Sequence, residues 1–388
     1  MSAMGPVVLS AFNVANFPEG GGHFWVYMQY VLGLRQRGCD VYWLERFIPS
    51  DDLARDAAQR ALFLERMASF GLEDRVILLV GPDPRKEPGA RTDYVGLPAA
   101  EAEAVFRRAE LLLNFHYAID TDLLGRFRRT ALVDIDPGLL QFWISRKQLA
   151  VAPHDVYFTT GETVGTAAAR FPDCGLPWVQ IRPPVSLEHW TPIADPACET
   201  MTTISAWDSK DWMIDDEVNF PNTKRVAFLP FRELPSLTLQ PLELALFLRT
   251  ARDAEERALL EQHGWRIRQS REVAGNPEDY QAYIRNSRGE FSCAKPSCIH
   301  FQNAWVSDRT LCYLASGKPV VVQDTGPSRY LPEAEGMFRF STPEQAAAAL
   351  AAMNSDYPRH SHAARALAEA HFDAKQVAAR ILEITLSS

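Results

Sequence analysis

Short apolar runs alternate with amphipathic segments along most of this chain. The run "PVVLSAF" at 6–12 predicts a buried strand, and a loop ending "EGGGH" follows it. The segment "HFWVYMQYVLGLRQRG" at 23–38 has the length of a helix that ends at Gly38, and "CDVYWLE" at 39–45 predicts the next strand. A strand, a helix and a second strand in this order are typical of a parallel βαβ unit.

The same alternation continues to about residue 187. Helical patterns at 51–71 and 100–109 separate apolar runs that stop at Pro, Gly or acidic residues, and these runs lie at 74–81, 110–117, 130–138, 154–161 and 176–185. Nearly continuous apolar strands between helices predict a parallel sheet that is covered on both faces. We therefore assign 1–187 to a first Rossmann-like domain.

A proline-rich stretch without periodicity separates this half from a second one. We interpret 188–200 as a linker and 201–370 as a second Rossmann-like domain. In it, "MTTISAW" (201–207), "RVAFLP" (225–230), "WRIRQS" (265–270) and "GEFSCAK" (289–295) predict strands. The segments 240–264 and 277–287 predict helices, and a last helix is expected within 371–388. The fold class is thus α/β with two Rossmann-like domains.

Composition and charge limit the classes of function that the chain can have. The chain has 388 residues and a net charge of -9, which argues against binding nucleic acid, because phosphate backbones attract basic surfaces. Its six cysteines form no C-x-x-C pair, and no apolar run is long enough for a membrane span. We expect a soluble cytoplasmic protein, monomeric or homodimeric, without a metal or a cofactor.

Ligands of open α/β sheets bind beyond the carboxyl ends of the strands, so the residues that follow strands are the candidate site residues. In "SDRTLCYLASGKPVVVQDTG", Ser307, Asp308 and Arg309 begin a helix, where free N–H groups favour an anion such as a diphosphate. The alternative is an ordinary cap with an exposed arginine. Lys295 and Lys224 are further candidate phosphate ligands, although either could be a surface charge.

Aromatic and acidic residues also follow predicted strands. Trp207 could stack on a base or a sugar, or be part of the core. In the first domain, Gly21 and Gly22 open the first helix beside His23, while His116 and Asp136 follow later strands. A histidine or carboxylate there could act as a general base, although His116 could also be a core histidine. The D-x-D of Asp134 and Asp136 could bind a metal or form a turn.

The second half resembles the GT-B glycosyltransferases. The resemblance lies in "SDRTLCYLASGKPVVVQDTG" and, in the first half, in "GGGHFWVYMQYVLGLRQRGCDVYWLE", which is similar to their first βαβ unit. It implies two Rossmann-like domains that face each other across a cleft, with a C-terminal helix returning to the N-terminal domain. It also implies a nucleotide-diphosphate sugar as donor and an acceptor hydroxyl bound by the first domain.

The resemblance makes Ser307, Asp308, Arg309 and Lys295 donor-binding residues, with Asp324, Thr325 and Gly326 nearby. Gly21 and Gly22 would then lie on the acceptor side, and His23, His116 or Asp136 would be the catalytic base. Many retaining members carry two glutamates eight positions apart around this helix; here Ala304 and Cys312 stand in those positions. A nucleotide-sugar epimerase of the same fold, or a non-catalytic binding protein, therefore stays as an alternative.

Overall fold

The structure, a computed structural model, describes residues 5–195, 197–208, 212–215, 218–331 and 335–386. Its first sheet has eight strands in the order β4-β3-β2-β1-β5-β6-β7-β8, parallel except for the antiparallel pair β3–β4. The strands are Val7–Ser10 (β1), Val41–Phe47 (β2), Val76–Val80 (β3), Asp93–Gly96 (β4), Leu111–Asn114 (β5), Thr130–Asp134 (β6), Val156–Thr159 (β7) and Trp178–Gln180 (β8).

Helices cover both faces of this sheet, which is why its central strands are buried from end to end. They are Gly21–Gln36 (α1), Leu53–Ser69 (α2), Ala99–Arg108 (α3), Thr121–Leu124 (α4) and Leu139–Ser145 (α5). Among them α1 is buried over most of its surface, because other helices pack on the side that faces away from the sheet.

The second sheet has six parallel strands in the order β13-β12-β9-β14-β15-β16. They are Met201–Ala206 (β9), Leu242–Phe247 (β12), Arg266–Gln269 (β13), Gly289–Ser292 (β14), Val320–Gln323 (β15) and Met337–Phe340 (β16). A separate antiparallel hairpin consists of Trp212–Asp215 (β10) and Val218–Pro221 (β11).

The helices of this half are Lys224–Phe228 (α6), Ala251–Gln262 (α7), Ser270–Ala274 (α8), Pro277–Arg285 (α9), Pro296–Phe301 (α10), Asp308–Ala315 (α11), Pro343–Ser355 (α12), Tyr357–His371 (α13) and Ala374–Leu386 (α14). Two 3₁₀ turns, Leu229–Phe231 and Leu234–Ser236, follow α6. None of the described helices is both long and apolar enough to cross a bilayer.

The C-terminal helix α14 leaves the second domain and packs on α1 of the first. Gly33 permits this contact, since a Cβ at that position would lie 2.3 Å from the carbonyl oxygen of Ala374. The backbone of Val185 also binds the segment before α14. Its N–H donates to the Phe372 carbonyl at 2.7 Å, and its carbonyl accepts from the Ala374 N–H at 3.0 Å. Two parallel sheets with a returning C-terminal helix confirm the predicted fold class.

Two predicted elements are wrong. "RVAFLP" is not a strand: it forms most of α6 and the following 3₁₀ turn, packed against the sheet through Phe228 and Phe231. "LELALF" is not helical: it is β12, in the middle of the second sheet between β13 and β9. Leu244 to Leu246 are all buried because β12 is covered on both faces. A short leucine-rich run is equally typical of a buried helix, so the sequence did not reveal the strand.

Candidate active site between the domains

The carboxyl-end loops of the two sheets meet and form the candidate site. The loop after β6 contacts the loop after α10, where the Asn303 Nδ2 donates to the Pro137 carbonyl at 2.6 Å. Gly138 has a φ of +84° and packs so closely on Phe301 that a Cβ would lie 2.9 Å from that ring. The two domains therefore touch directly beside the cleft.

Asp136 of the first domain and Lys295 of the second approach each other here. The Lys295 Nζ lies 3.9 Å from the Asp136 Oδ1, and both side chains are partly exposed. Asp308, at the start of α11, is near enough to both that their charges act on it: burial raises the pKa of Asp308, the charge of Asp136 adds to this, and Lys295 opposes it. The sequence-predicted Asp136, Lys295 and Asp308 thus share one cleft.

His23 lies on the first-domain side of this group. Its Nε2 is 2.7 Å from the Phe12 carbonyl oxygen, which can only accept a hydrogen bond. Nε2 therefore carries the proton, and in the neutral ring Nδ1 has the free lone pair. Burial lowers the pKa of His23, and the charge of Asp136 acts in the opposite direction. A neutral imidazole at pH 7 is what a general base requires.

The hydrogen bonds of Asp134 fix the loop that carries Asp136. Asp134 is fully buried, and its carboxylate accepts bonds from the Gln141 amide at 2.8 Å and the Thr159 hydroxyl at 2.9 Å. Burial raises its pKa to about 7, although those two bonds counteract the shift. Tyr117 accepts from the Ile135 N–H at 2.9 Å and closes the turn. Asp134, the last residue of β6, thus stabilises the turn that follows, as the turn alternative for the D-x-D expects.

Arg309 differs from its prediction. Its guanidinium turns into the protein and donates to Glu290 Oε1 at 2.7 Å, to the Ile204 carbonyl at 2.7 Å and to the Ser292 hydroxyl at 2.5 Å. Glu290 is fully buried, so the arginine is its counter-charge inside the second domain. With every nitrogen engaged by the protein, Arg309 is placed to support the sheet rather than to reach a phosphate.

Lys224 does lie at the second-domain edge of the cleft. Its ammonium donates to the Cys293 carbonyl and borders a small cavity of about 30 Å³ that Ser307, Thr310 and Gln323 also line. Burial, together with the positive charges of Arg309 and Lys295, lowers the pKa of Lys224 to about 7. An anion in this place would restore the charged form of the amine.

The residues after β15 mainly shape the loop. The Asp324 carboxylate accepts from the Gly326 N–H at 3.0 Å, and the Thr325 hydroxyl donates to the Trp305 carbonyl at 2.8 Å. Gly326 has a φ of +120°, with a would-be Cβ 2.7 Å from the Gln302 carbonyl oxygen. Thr325 and Gly326 line the small cavity, as does Ser307, whose side chain makes no cap bond to α11.

Trp207 does not fit its predicted role. It is fully buried in the second-domain core against Phe228, and its indole N–H donates to Glu256 at 2.6 Å. No face of the ring is left for a base or a sugar, so the core alternative is the correct one. The sequence could not separate the two roles of Trp207, because a side chain directly after a strand can point either into the core beside the sheet or into the cleft.

Gly21 and Gly22 lie where the domains pack together. A Cβ on Gly21 would be 2.3 Å from the Asn276 carbonyl oxygen, and one on Gly22 would be 2.6 Å from the Tyr280 ring. Both positions require glycine because α1 approaches α9 closely there, and not because an acceptor needs space. The predicted acceptor-side role therefore does not fit their position.

His116 lines a cavity of the first domain, of about 340 Å³. Its ring stacks on Phe12 with centroids 4.8 Å apart. Burial, followed by the charge of Arg85, lowers the pKa of His116 to about 4, so that it is neutral and a weak base at pH 7. Of the two histidines that the sequence indicated, His23 is the one whose pKa responds to the charge of Asp136.

The positions that lack glutamates have other occupants. Ala304 lines the small cavity in a left-handed backbone conformation, with a φ of +54°, and Gln302 nearby has a φ of +52°. Strained backbone of this kind is concentrated at functional sites. Cys312 is buried, and its thiol lies 3.7 Å from the Gln29 amide of the first domain.

Glu162 is a cleft residue that the sequence did not indicate. It follows β7 and lies in a turn, where its carboxylate binds Arg182 at 2.5 Å and accepts from the Ser328 hydroxyl at 2.6 Å and the Arg329 N–H at 3.1 Å. These last two bonds join the domains across the cleft. Within the described residues, no group of three His, Cys, Asp or Glu side chains could hold a metal ion.

Comparison with known proteins places this architecture in a class. No protein-family model and no curated protein matches the sequence. Among solved structures, an alpha-glucosyltransferase in complex with UDP superposes with a TM-score of 0.63 at 11% identity, covering 99% of this chain and 100% of that one. Sucrose-phosphate synthase from Thermosynechococcus elongatus gives 0.59 at 13% identity, with 99% and 98% covered.

HepE from Anabaena, in complex with UDP and glucose, gives a TM-score of 0.58 at 10% identity and covers 99% of this chain and 100% of that one. The chain therefore has the GT-B fold of glycosyltransferases. At these identities the likeness establishes the architecture, and the activity has to be argued from the residues of the cleft.

Proposed function

We propose that the protein is a metal-independent glycosyltransferase that moves a sugar from a nucleotide-diphosphate sugar to an acceptor hydroxyl. The proposal rests on one observation: two lysines of the second domain and a histidine and a carboxylate of the first domain lie in one GT-B cleft. Lys224 and Lys295 lie on the second-domain side, close enough for their charges to interact. His23 and Asp136 lie on the first-domain side, where Asp136 is 3.9 Å from Lys295.

The second domain would bind the donor. The diphosphate lies beside Lys224, Lys295 and the first N–H groups of α11, with Ser307, Thr325 and Gly326 lining the cavity next to it. Two ammonium groups and a helix N-terminus stabilise the negative charge that develops on the departing diphosphate. A uridine diphosphate sugar is the first donor to test, because the alpha-glucosyltransferase and HepE structures hold UDP.

The first domain would activate the acceptor. His23 is the proposed base, with Nδ1 as the nitrogen that accepts the hydroxyl proton, and Asp136 stabilises the imidazolium that forms. General-base catalysis contributes a factor of about 10²–10⁴ to the rate. His23→Ala should therefore lower kcat by about that factor while the affinity for UDP stays unchanged.

The test is a transfer assay with a panel of UDP-, GDP- and TDP-sugars and mixed hydroxyl acceptors, read by mass spectrometry. The proposal predicts a glycosylated product that persists in EDTA and is strongly reduced in His23→Ala. A donor converted to an isomer or to free sugar without an acceptor would instead establish the epimerase or hydrolase alternative. Loss of activity in EDTA that Mn²⁺ restores would contradict metal independence.

A further inference from the structure

The cavity beside His116 has a mixed character. Its lining includes the apolar Phe12 and Ile48 beside the polar or charged Asn13, Arg46, Asp83, Arg85, Lys86, Glu87 and His116. Phe12 is 50% exposed and Ile48 is 44% exposed, so two large apolar side chains stand open to solvent on one wall. Exposed apolar residues that line a concave surface mark a binding site more often than scattered ones do.

Arg46 gives the same cavity a positive charge without an acidic partner. Its Nη1 donates only to neutral oxygens, the Pro82 carbonyl at 3.2 Å and the Thr92 hydroxyl at 3.5 Å. Burial lowers its pKa, while the more distant Asp120 and Asp83 act in the opposite direction. Within the described residues no carboxylate forms an ion pair with it.

Two carboxylates line the cavity, those of Asp83 and Glu87, and within the described residues Glu87 forms no ion pair with Arg46. Asp83 binds Arg85 through two parallel bonds of 2.9 Å and 2.5 Å, so its charge is compensated within the cavity wall. Arg85 is thereby occupied, and Arg46 is left as the guanidinium that can receive an anion from a ligand. Guanidinium groups bind carboxylate and phosphate oxygens with two parallel hydrogen bonds.

Phe12 connects this cavity to the proposed base. Its ring stacks on His116, and its carbonyl accepts the hydrogen bond from His23 Nε2 at 2.7 Å. Phe12 therefore contacts both the cavity, through its ring, and His23, through its carbonyl. This shared residue is the reason for assigning the cavity to the acceptor.

We infer, on the basis of the proposed function, that the acceptor is anionic: a ring stacked on Phe12 that carries a carboxylate or phosphate bound by Arg46. Two sources share this chemistry, a phosphorylated sugar and a hydroxylated aromatic acid. Both carry a hydroxyl and an anionic group at the edge of one six-membered ring, whose face is free to stack on Phe12. A neutral acceptor would leave the Arg46 guanidinium buried without a counter-charge.

The test is calorimetric binding of matched probes, with and without UDP. Glucose 6-phosphate is compared with glucose, and 4-hydroxybenzoate with its methyl ester. In the wild type, one acid should bind at least tenfold tighter than its neutral counterpart, and the acid that does so identifies the source. Arg46→Gln should remove that preference, and Arg46→Lys should keep part of it.

Two further variants separate this effect from damage to the fold. Arg91→Gln changes an 86% exposed arginine of the same domain, outside the cavity, and should leave the preference intact. Phe12→Ala should weaken the acid and the neutral probe by similar factors. All four variants should bind UDP as the wild type does.

Three results would overturn the inference: equal binding of acids and neutral probes, no binding of either acid, or a preference that survives in Arg46→Gln. Failure of the proposed function is a different result, namely no UDP binding by the wild type. The preference for the acid is also measured without UDP, so it can be evaluated even if the protein does not bind UDP.

Discussion

At the scale of single residues, Arg309 and Lys224 are the clearest pair to compare. Both are basic residues near the start of a helix at the cleft, yet Arg309 turns inward to the buried Glu290 while Lys224 lines the cavity. The sequence indicated both as candidate ligands of an anion. It could not show that Arg309 has an acidic partner nineteen residues earlier, because that pairing depends on the register of β14 beside α11.

Arg309 should be essential for stability rather than for donor contact. Arg309→Met leaves Glu290 buried without its counter-charge, and we expect a loss of about 3–5 kcal/mol in the free energy of unfolding. Urea unfolding followed by circular dichroism measures this. The double variant Glu290→Gln/Arg309→Met removes both charges and should recover much of the loss. A single variant as stable as the wild type would show that the ion pair has no structural role.

Lys224 should make donor binding depend on pH. Its pKa in the free protein is about 7, lowered by burial, and a bound diphosphate would raise it. Binding then takes up a proton above pH 7, so the affinity for UDP is highest below pH 7 and falls as the pH rises, by up to about tenfold per unit. Calorimetry across pH 6–9 measures this slope.

Lys224→Met should bind UDP weakly and with a flatter pH profile, because the titrating amine is gone. Lys375→Met, at an exposed lysine of the C-terminal helix, is the control and should keep the wild-type slope. A wild-type affinity that does not change across this pH range, after correction for ionisation of UDP itself, would contradict the role of Lys224.

At the scale of elements, the helix α11 and strand β15 were the most predictable part of the molecule. Their signals are local: Gly317 has a φ of +69°, and the backbone bonds Gly317 to Leu314 and Lys318 to Tyr313, of 3.0 Å and 2.9 Å, end the helix. Strand β12 and helix α6 were not predictable in this way, since their identity depends on the neighbours that surround them. Leu242–Phe247 is a strand because β9 and β13 flank it.

Gly317→Ala should cost about 1 kcal/mol in unfolding free energy, because the backbone conformation is unfavourable for a residue with a Cβ. The nearest atoms to that Cβ would be 3.5 Å away, so sterics add nothing. Gly336 is the contrasting position, with a φ of +73° and a Cβ that would lie 2.4 Å from the Ala364 nitrogen. Gly336→Ala should be clearly more destabilising in thermal unfolding, and equal effects would contradict this account of α11.

At the scale of the whole molecule, the domains are held in contact on both sides of the cleft. Gly21 and Gly22 permit close packing of α1 against α9, and Glu162 bonds to the Ser328 hydroxyl and the Arg329 N–H. The sequence predicted two domains and a returning helix, since both follow from periodicity and resemblance. It could not predict Glu162, which lies more than 160 positions from its partners.

Ser328→Ala should weaken the contact between domains without disturbing the Glu162–Arg182 ion pair. We expect a larger radius of gyration in small-angle X-ray scattering of the unliganded protein, and a smaller difference once UDP is bound. Ser236→Ala is a control, because that exposed hydroxyl bonds only to the Glu233 carbonyl of its own turn. Identical scattering of Ser328→Ala and wild type would show that this bond does not govern closure.

The central claim is that the second-domain edge of the cleft binds a nucleoside diphosphate through its two lysines. Isothermal titration of the wild type, Lys224→Met, Lys295→Met and the control Lys375→Met with UDP at pH 6.5 tests it directly. We predict one binding site in the wild type and in the control, and affinities at least tenfold lower in the Lys224 and Lys295 variants. No binding by the wild type, or equal affinity in all four proteins, would contradict the claim.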